Sequence, residues 1–179
     1  MGSATPLSER VRASLAEEAE RVRNAGSGDE ALGRILELLL AAVEVQFDGE
    51  MLASILLLDA KGERLRHGAA PSLPGDYCVA IDGLKIGPGV GSCGTAAYLG
   101  HPVYVTDIAT DPLWADFREL AAAHGLRACW STPVTASDGR MLGTFAIYYR
   151  TPRSPTSDEV EAIKHVISTA AEAIERFGP

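Results

Sequence analysis

The side chains with the most chemical potential in this sequence are its three cysteines, Cys78, Cys93 and Cys129. Cys93 stands at a predicted helix start, where unpaired backbone N–H groups favour a thiolate. Cys129 lies in an apolar segment beside Trp130, which is typical of a buried structural thiol. Three cysteines are too few for a disulfide framework, and the odd number argues against a secreted one. A reducing cytoplasm is therefore the predicted compartment.

A glycine-rich loop over residues 87–91 leads into Cys93 and offers a second kind of chemistry. A helix start between Ser92 and Thr95 would present free backbone N–H groups, which suit an anion or a carbonyl-bearing ligand. Alternatively, these glycines only allow a helix to approach a sheet closely. The glycine spacing alone leaves both interpretations open, because no strand and helix of a dinucleotide-binding motif surround it.

Metal and hydrolytic sites are not predicted from this sequence. The four histidines have neither an i, i+4 partner nor a Cys-x-x-Cys pair to complete a metal site; they are His67, His101, His124 and His165. No Ser-His-Asp arrangement can be argued from the order of the residues.

The overall composition is that of a globular domain with an acidic surface. Of the 179 residues, 46% are hydrophobic and 22% are charged, which excludes disorder over most of the length. No apolar run approaches the roughly 20 residues that span a bilayer, so no membrane partner is expected. Sixteen Lys and Arg against 24 Asp and Glu give a net charge of −8, which argues against nucleic-acid binding.

Two amphipathic helices are predicted before the first strand. The segment from Leu7 to Val22 carries an apolar stripe at helical spacing, and glycines follow it. Ser27 and Glu30 have the spacing of a capping box for the second helix. The apolar face of this helix is broad, which predicts deep burial; it contains Leu32, Ile35, Leu36, Leu39 and Val43, widened by Leu38 and Leu40.

The middle of the chain alternates between strand patterns and short helices. A central strand is predicted over Met51–Leu58, with a hairpin partner over Arg64–Ala69. Residues 70–91 are predicted to form a loop with one helical turn. The remaining elements are a helix capped by Ser92 and closed by Gly100, a strand over Pro102–Thr106, a helix from Asp111 to Gly125, and strands over Arg127–Val134 and Arg140–Tyr149.

The last helix is predicted to run from a Thr156–Glu159 capping box to about residue 177. Its apolar residues repeat at steps of three and four: Val160, Ile163, Ile167, Ala170, Ile174 and Phe177. Such a seam fits a coiled-coil contact with a second copy, packing on the chain's own sheet, or both. The order of elements predicts an α+β domain with one antiparallel sheet of about five to six strands.

Several ordered motifs between residues 87 and 149 resemble the GAF domain family. They are GVGSCGTAA at 89–97, VTDI at 105–108, DPLW at 111–114, GLRACWSTP at 125–133 and GTFAI at 143–147. These motifs resemble those of the GAF domains that are common in bacterial signalling proteins. The resemblance implies residues 1–26 as a helical extension and residues 27–179 as the GAF-like domain, ending in a dimerisation or signalling helix over 156–177.

The resemblance also implies a pocket between one sheet face and the short helices and loops, with terminal helices on the other face. Its ligand-binding residues would be Tyr77, Ile81, Ser92, Cys93, Thr95, Ile108, Trp114, Phe117, Trp130, Thr132 and Phe145. A mixture of aromatic and hydroxyl side chains suits a small organic ligand. The alternative for each aromatic residue is a place in the core.

One GAF-like group is an enzyme, free methionine-(R)-sulfoxide reductase, which uses thiols near a Gly-Val-Cys-Gly-Thr-Ala motif. This chain has GSCGTA at 91–96, yet LWAD at 113–116 replaces the loop with the enzyme's third thiol. FAIY at 145–148 replaces the acidic residues of its last strand. The resemblance therefore implies a non-catalytic, small-molecule-sensing signalling domain with no identified cofactor, and a homodimer through its terminal helices. The alternatives are a dimerisation module with a vestigial pocket, or this reductase.

Overall fold

The computed structural model describes residues 4–23, 29–47 and 49–178. Its helices are α1 (Leu7–Arg23), α2 (Asp29–Gln46), α3 (Gly75–Ile81), α4 (Gly91–Leu99), α5 (Arg118–Ala123) and α6 (Ser157–Phe177), with a 3-10 helix over Pro112–Trp114. Its strands are β1 (Leu52–Leu58), β2 (Arg64–Ala69), β3 (Leu84–Lys85), β4 (Val103–Val105), β5 (Ala128–Thr135) and β6 (Met141–Tyr149). The capping box predicted for Ser27 and Glu30 depends on Ser27, which lies outside the described residues.

The strands form one antiparallel sheet of six in the order β3-β2-β1-β6-β5-β4. The first predicted strand, β1, lies near the centre and pairs with β6 from Leu52 opposite Tyr148 to Leu57 opposite Gly143. The α+β prediction with one antiparallel sheet is therefore confirmed. The predicted loop over residues 70–91 contains α3 and also the short edge strand β3, which has too few residues to show a pattern.

Both faces of this sheet are covered by helices. Along β6, Phe145, Ile147 and Tyr149 pack with the long helices α1, α2 and α6. Ala146 and Tyr148 point to the other face, where they pack with α3, α4 and α5. Since the sheet is buried on both sides, β5 and β6 have almost no exposed positions.

The long helices are joined at their beginnings by capping interactions. Thr156 and Glu159 form the predicted capping box at the start of α6. The neighbouring Asp158 accepts hydrogen bonds from the backbone N–H groups of Leu7 and Ser8, at 2.7 and 3.1 Å. One carboxylate thereby satisfies two free N–H groups of α1 and ties the first helix to the last.

Most of the α6 seam is used inside the chain. Ile163, Ala170 and Ile174 are buried in the core shared with α1 and α2, while Ile167 is only partly buried. Packing on the chain's own core therefore accounts for these residues. The broad face predicted for α2 is wrong at one position, because the Leu38 side chain is 51% exposed.

Two predicted helix starts differ from the structure. Helix α4 begins at Gly91 without a side-chain cap among the described residues, because the hydroxyl of Ser92 points to the sheet and donates to the Cys129 carbonyl instead. The segment after Asp111 is a 3-10 helix followed by α5, because the backbone of Phe117 leaves helical geometry, with φ −118° and ψ 0°. Gly100 closes α4 with φ +70°, as predicted.

Candidate functional site

A small cavity lies between the sheet and the elements α3, α4 and the 3-10 helix. Its volume is about 20 Å³, which is about the room that one water molecule needs. The described residues that line it include no Asp, Glu, Lys or Arg; they are Leu56, Tyr77, Ile81, Leu84, Val90, Gly91, Ser92, Cys93, Trp114, Phe117 and Tyr148. In this closed form an organic ligand has no room, so its binding requires a wall to move.

Ser92 fixes the wall that Trp114 provides. Its buried hydroxyl donates to the Cys129 carbonyl at 2.9 Å and accepts the indole N–H of Trp114 at 3.0 Å. This bond satisfies the only polar group of the indole ring. A Cβ at Gly91, where φ is +55°, would lie 3.7 Å from that ring. Ser92 thereby connects the 3-10 helix, α4 and β5 at one point.

Two tyrosines form the inner part of the cavity. The rings of Tyr77 from α3 and Tyr148 from β6 meet edge to face, with centroids 5.8 Å apart. Burial raises the pKa of Tyr77 and of Tyr148 well above the ordinary value, so both rings keep their hydroxyl protons at neutral pH. The Tyr148 hydroxyl lies 3.9 Å from the sulfur of Cys93.

The cavity also contains a thiol with unusual acidity. Polar groups near its sulfur, first the Cys129 thiol and then the hydroxyls of Ser131, Tyr148 and Thr144, lower the pKa of Cys93 to about 7. Burial instead raises the pKa of Cys129 well above its ordinary value. Cys129 therefore stays protonated at neutral pH, and Cys93 is the more acidic and more reactive of the two thiols.

Helix α3 covers the cavity and is held by an ion pair. The Nε2 atom of His124 lies 3.1 Å from the carboxylate of Asp76. The His124 ring also meets the Tyr77 ring edge-on, with centroids 5.4 Å apart. The Leu120 carbonyl, and after it the Asp76 carboxylate, raise the pKa of His124. Any outward motion of α3 must separate this pair.

The cavity wall reaches α6 through the next residue of the same strand. Tyr149 follows Tyr148 on β6, points to the opposite face, and donates its hydroxyl proton to Glu159 at 3.3 Å. The Arg153 guanidinium lies 4.3 Å from the Tyr149 ring centroid and donates to Glu159 at 2.7 Å. Glu159 belongs to the α6 capping box, so β6 and the first turn of α6 are in direct contact.

The structure brings six of the predicted site residues together at the cavity: Tyr77, Ile81, Ser92, Cys93, Trp114 and Phe117. Thr95 lies behind the wall, where its hydroxyl accepts the backbone N–H of Val90 at 3.1 Å. Ile108 is buried in the core below the short helices and does not line the cavity. Thr95 and Ile108 thus support the site without facing it.

Three predicted pocket residues, Trp130, Thr132 and Phe145, lie on the opposite face of the sheet. Trp130 and Phe145 pack with the long helices, and Thr132 is the register partner of Phe145. The indole N–H of Trp130 donates to the Arg153 carbonyl at 2.9 Å. The prediction that these residues line the pocket is wrong. Because the sheet is buried on both faces, its strands show no alternation of polar and apolar residues that would tell the two faces apart.

Five residues that line the cavity were not among the predicted site residues: Leu56, Leu84, Val90, Gly91 and Tyr148. The alternation of β6 places Tyr148 on the face opposite to Phe145, but it does not tell which of the two faces holds the cavity. Leu84, in the two-residue strand β3, and Val90 lie in a stretch of sequence without a periodic pattern. In the part of the chain that the structure describes, no group of three His, Cys, Asp or Glu side chains could hold a metal ion. None of the described helices is both long and apolar enough to cross a membrane.

Comparison with known proteins identifies the class of this domain. The GAF domain profile matches residues 29–175, and the chain therefore belongs to the GAF domain family. The methyl sulfide methyltransferase-associated sensor of Methanosarcina acetivorans is 39% identical over 156 residues, which cover 87% of this chain. The match spans only 15% of the length of that curated relative.

Solved structures show the same fold. A GAF sensor protein from Burkholderia vietnamiensis is 17% identical with a TM-score of 0.74, covering 97% of this chain and 99% of that one. The free methionine-R-sulfoxide reductase of Neisseria meningitidis, in complex with its substrate, is 18% identical with a TM-score of 0.71, covering 98% and 95%. At these identities the likeness concerns the fold alone.

Proposed function

We propose that this chain is a small-molecule-sensing regulatory domain of a signal-transduction protein and does not turn over its ligand. Membership of the GAF family and a 39% identical relative that is named as a sensor support this proposal. One observation carries it further: Tyr148 lines the cavity, while its neighbour Tyr149 contacts α6. A change at the cavity therefore has a direct structural route to the last helix.

The lining of the cavity favours a compact, uncharged ligand with a hydrogen-bond acceptor. Tyr77 and Tyr148 are neutral donors, and no Asp, Glu, Lys or Arg side chain among the described lining residues could neutralise an ionic ligand. The aliphatic and aromatic walls would bury the remainder of the molecule. Because only about 20 Å³ is open, we expect the ligand to bind after α3 swings away and the Asp76–His124 ion pair separates.

Signalling would then proceed through β6 to the start of α6. A ligand that displaces Tyr148 also moves Tyr149, because the two residues share one peptide bond. Tyr149 and Arg153 both hold Glu159, whose carboxylate also accepts the backbone N–H of Thr156 at 2.7 Å. A small movement at this capping box would change the direction of α6.

The two tryptophans give a direct test of the proposal. Trp114 lines the cavity, and Trp130 lies on the other face beside Arg153. A compound from a thermal-stabilisation screen should change the emission of Trp114 in the Trp130→Phe variant. It should also change that of Trp130 in the Trp114→Phe variant. A vestigial pocket predicts that no compound stabilises the protein, and a compound that leaves Trp114 unchanged contradicts binding at this cavity.

A homodimer in the cytoplasm, assembled through the terminal helices, is part of the same proposal. Ile174 is buried within the chain, so Val160 and Ile167, both only partly buried, are the seam residues left for a partner. Light scattering should show a dimer that Ile167→Glu dissociates. A wild type that stays monomeric at tens of micromolar would contradict this assembly.

The thiol in the cavity favours a second candidate, a thiol-dependent reductase. Cys93 has a lowered pKa and lines the cavity, as an attacking thiol requires. The third thiol does not join it, because Cys78 lines an open surface groove with Val79 and Asp82. Methionine sulfoxide reduction that is lost in Cys93→Ser would favour this candidate over the sensor.

A further inference from the structure

Two buried thiols meet below the cavity. Cys93 lies in the first turn of α4 and lines the cavity, and its side chain is 4% exposed. Cys129 lies on β5, is fully buried, and belongs to the same buried cluster as Cys93. It is the register partner of Tyr148, whose hydroxyl lies 3.9 Å from the sulfur of Cys93. Both are free thiols. The backbone of Cys129 is also tied to α4, because its carbonyl accepts the Ser92 hydroxyl.

The sheet below Cys93 carries hydroxyl groups that the fold leaves unused. Ser131 and Thr144 are completely buried, and their hydroxyl oxygens have no conventional hydrogen-bond partner among the described residues. Buried hydroxyl groups are almost always hydrogen-bonded, so such atoms point to an absent polar partner. Both hydroxyls lie close enough to Cys93 to affect the acidity of its thiol. They are placed to hydrogen-bond an oxygen atom attached to that sulfur.

We propose that Cys93 and Cys129 form a peroxide-reactive thiol pair, in which Cys93 attacks hydrogen peroxide and Cys129 closes a disulfide. This activity does not depend on the binding of an organic ligand. The cavity of about 20 Å³ is about the size of one water molecule, so a very small oxidant such as hydrogen peroxide needs the least movement of the wall to reach Cys93, and bulky oxidants are excluded.

The reaction balances with peroxide as the oxidant. The thiolate of Cys93 attacks one peroxide oxygen, the O–O bond breaks, and the leaving hydroxide takes a proton to become water. The product is a sulfenic acid on Cys93, whose oxygen Ser131 and Thr144 can hydrogen-bond. The sulfur of Cys129 then attacks the sulfur of Cys93, the S–O bond breaks, and a second water leaves. Two thiols thereby lose two electrons and two protons to one peroxide.

The acidity of Cys93 supports this chemistry at neutral pH. Because its pKa is lowered to about 7, Cys93 carries a thiolate fraction near neutral pH that an ordinary cysteine lacks. The titratable groups that face it are Cys129 from β5, Tyr148 from β6 and Tyr77 from α3, and each has a raised pKa. These three groups stay protonated, so the oxidation rate should rise through about pH 7 with one ionisation.

Cys78 provides a matched control within the same chain. It is more exposed than Cys93, lines an open groove, and has a pKa that burial raises. If access alone decided oxidation, Cys78 would react first. If the thiolate content and the surrounding hydroxyl groups decide which thiol is oxidised, Cys93 reacts first although it is more deeply buried.

The test treats the reduced full chain with one equivalent of hydrogen peroxide at pH 7, blocks free thiols, and maps the peptides by mass spectrometry. We expect a peptide pair joined through Cys93 and Cys129, with Cys78 still reduced. Cys129→Ser should accumulate a dimedone-reactive sulfenic acid on Cys93. Cys93→Ser should slow peroxide consumption by at least about tenfold, and Cys78→Ser should leave it unchanged.

Several outcomes would overturn the proposal. It would be contradicted if Cys78 were oxidised before Cys93. It would also be contradicted if the wild-type protein consumed hydrogen peroxide no faster than free cysteine does, or if the Cys93→Ser variant consumed it as fast as the wild type. The map of the wild-type chain needs no variant, so the proposal stays testable if a substitution disturbs folding. Circular dichroism spectra of the serine variants check that point.

Discussion

The hydrogen bond between Ser92 and Trp114 holds the cavity wall in place, and a double-mutant cycle measures it. Ser92→Ala removes the acceptor of a fully buried indole N–H and also the donor to the Cys129 carbonyl. Leaving a buried donor without a partner costs about 1–3 kcal/mol. For a chain of this length, a loss of about 2 kcal/mol lowers the Tm by about 4–8 °C.

The second side of the cycle isolates the bond itself. In a Trp114→Phe background the N–H is already absent, so Ser92→Ala loses only its bond to Cys129, about 0.5–1.5 kcal/mol. The coupling free energy between the two sites should therefore be about 1 kcal/mol or more. Urea denaturation of the four proteins gives this number. Ser154→Ala, at an exposed hydroxyl bonded to Thr106, is the control and should change stability by no more than about 0.5 kcal/mol.

A coupling free energy near zero would refute this reasoning. It would mean that Trp114 finds water or another acceptor when the serine hydroxyl is removed, and that the cavity wall is not fixed through Ser92. Equal destabilisation by Ser92→Ala and Ser154→Ala would refute it as well, because the buried and exposed hydroxyls would then contribute alike.

Three further predictions concern α4, α3 and turnover. Gly94→Ala should destabilise the domain by more than about 1 kcal/mol, because the added Cβ would lie 2.8 Å from the Cβ of Val90. The control is Gly33→Ala, whose added Cβ meets nothing within 4 Å and should stabilise α2. Urea denaturation compares the two variants. Asp76→Asn should lower the pKa of His124, which an NMR titration measures. Because that pKa is raised in the folded state, the stabilisation that protonated His124 gives the fold should be complete at low pH and should fade as the pH rises through the folded-state pKa. Purified protein with a thiol reductant should not reduce methionine sulfoxide, and a turnover that Cys93→Ser abolishes would contradict the non-catalytic proposal.

The fold was largely predictable because its local signals agree with its packing. The apolar stripe of α1, the Thr156–Glu159 capping box and the positive φ at Gly100 all stand at the predicted positions. The helix predicted from Asp111 failed because an N-cap followed by proline shows where a helix begins and not how far it continues. The helical geometry is interrupted at Phe117, which lines the cavity among residues distant in sequence, and no local pattern marks that position.

The site was only partly predictable for a related reason. Ser92, Cys93 and Trp114 were found because motif residues mark them. Trp130 and Phe145 were placed on the wrong face, since a strand buried on both sides presents apolar residues everywhere. A thiolate at Cys93 was expected from the helix start. The groups that lower its pKa in the structure could not be foreseen, because they come from β5 and β6, far away in sequence.

The central claim is that occupation of the cavity is felt at the first turn of α6, and hydrogen–deuterium exchange tests it most directly. The measurement compares the protein with and without a stabilising compound from the screen. We predict altered exchange both in the α4 peptide over residues 90–96 and in the peptide over residues 156–163. The Tyr149→Phe variant, which loses the hydroxyl bonded to Glu159, should keep the first change and lose much of the second. A compound that protects residues 90–96 while residues 156–163 exchange as before would contradict the account.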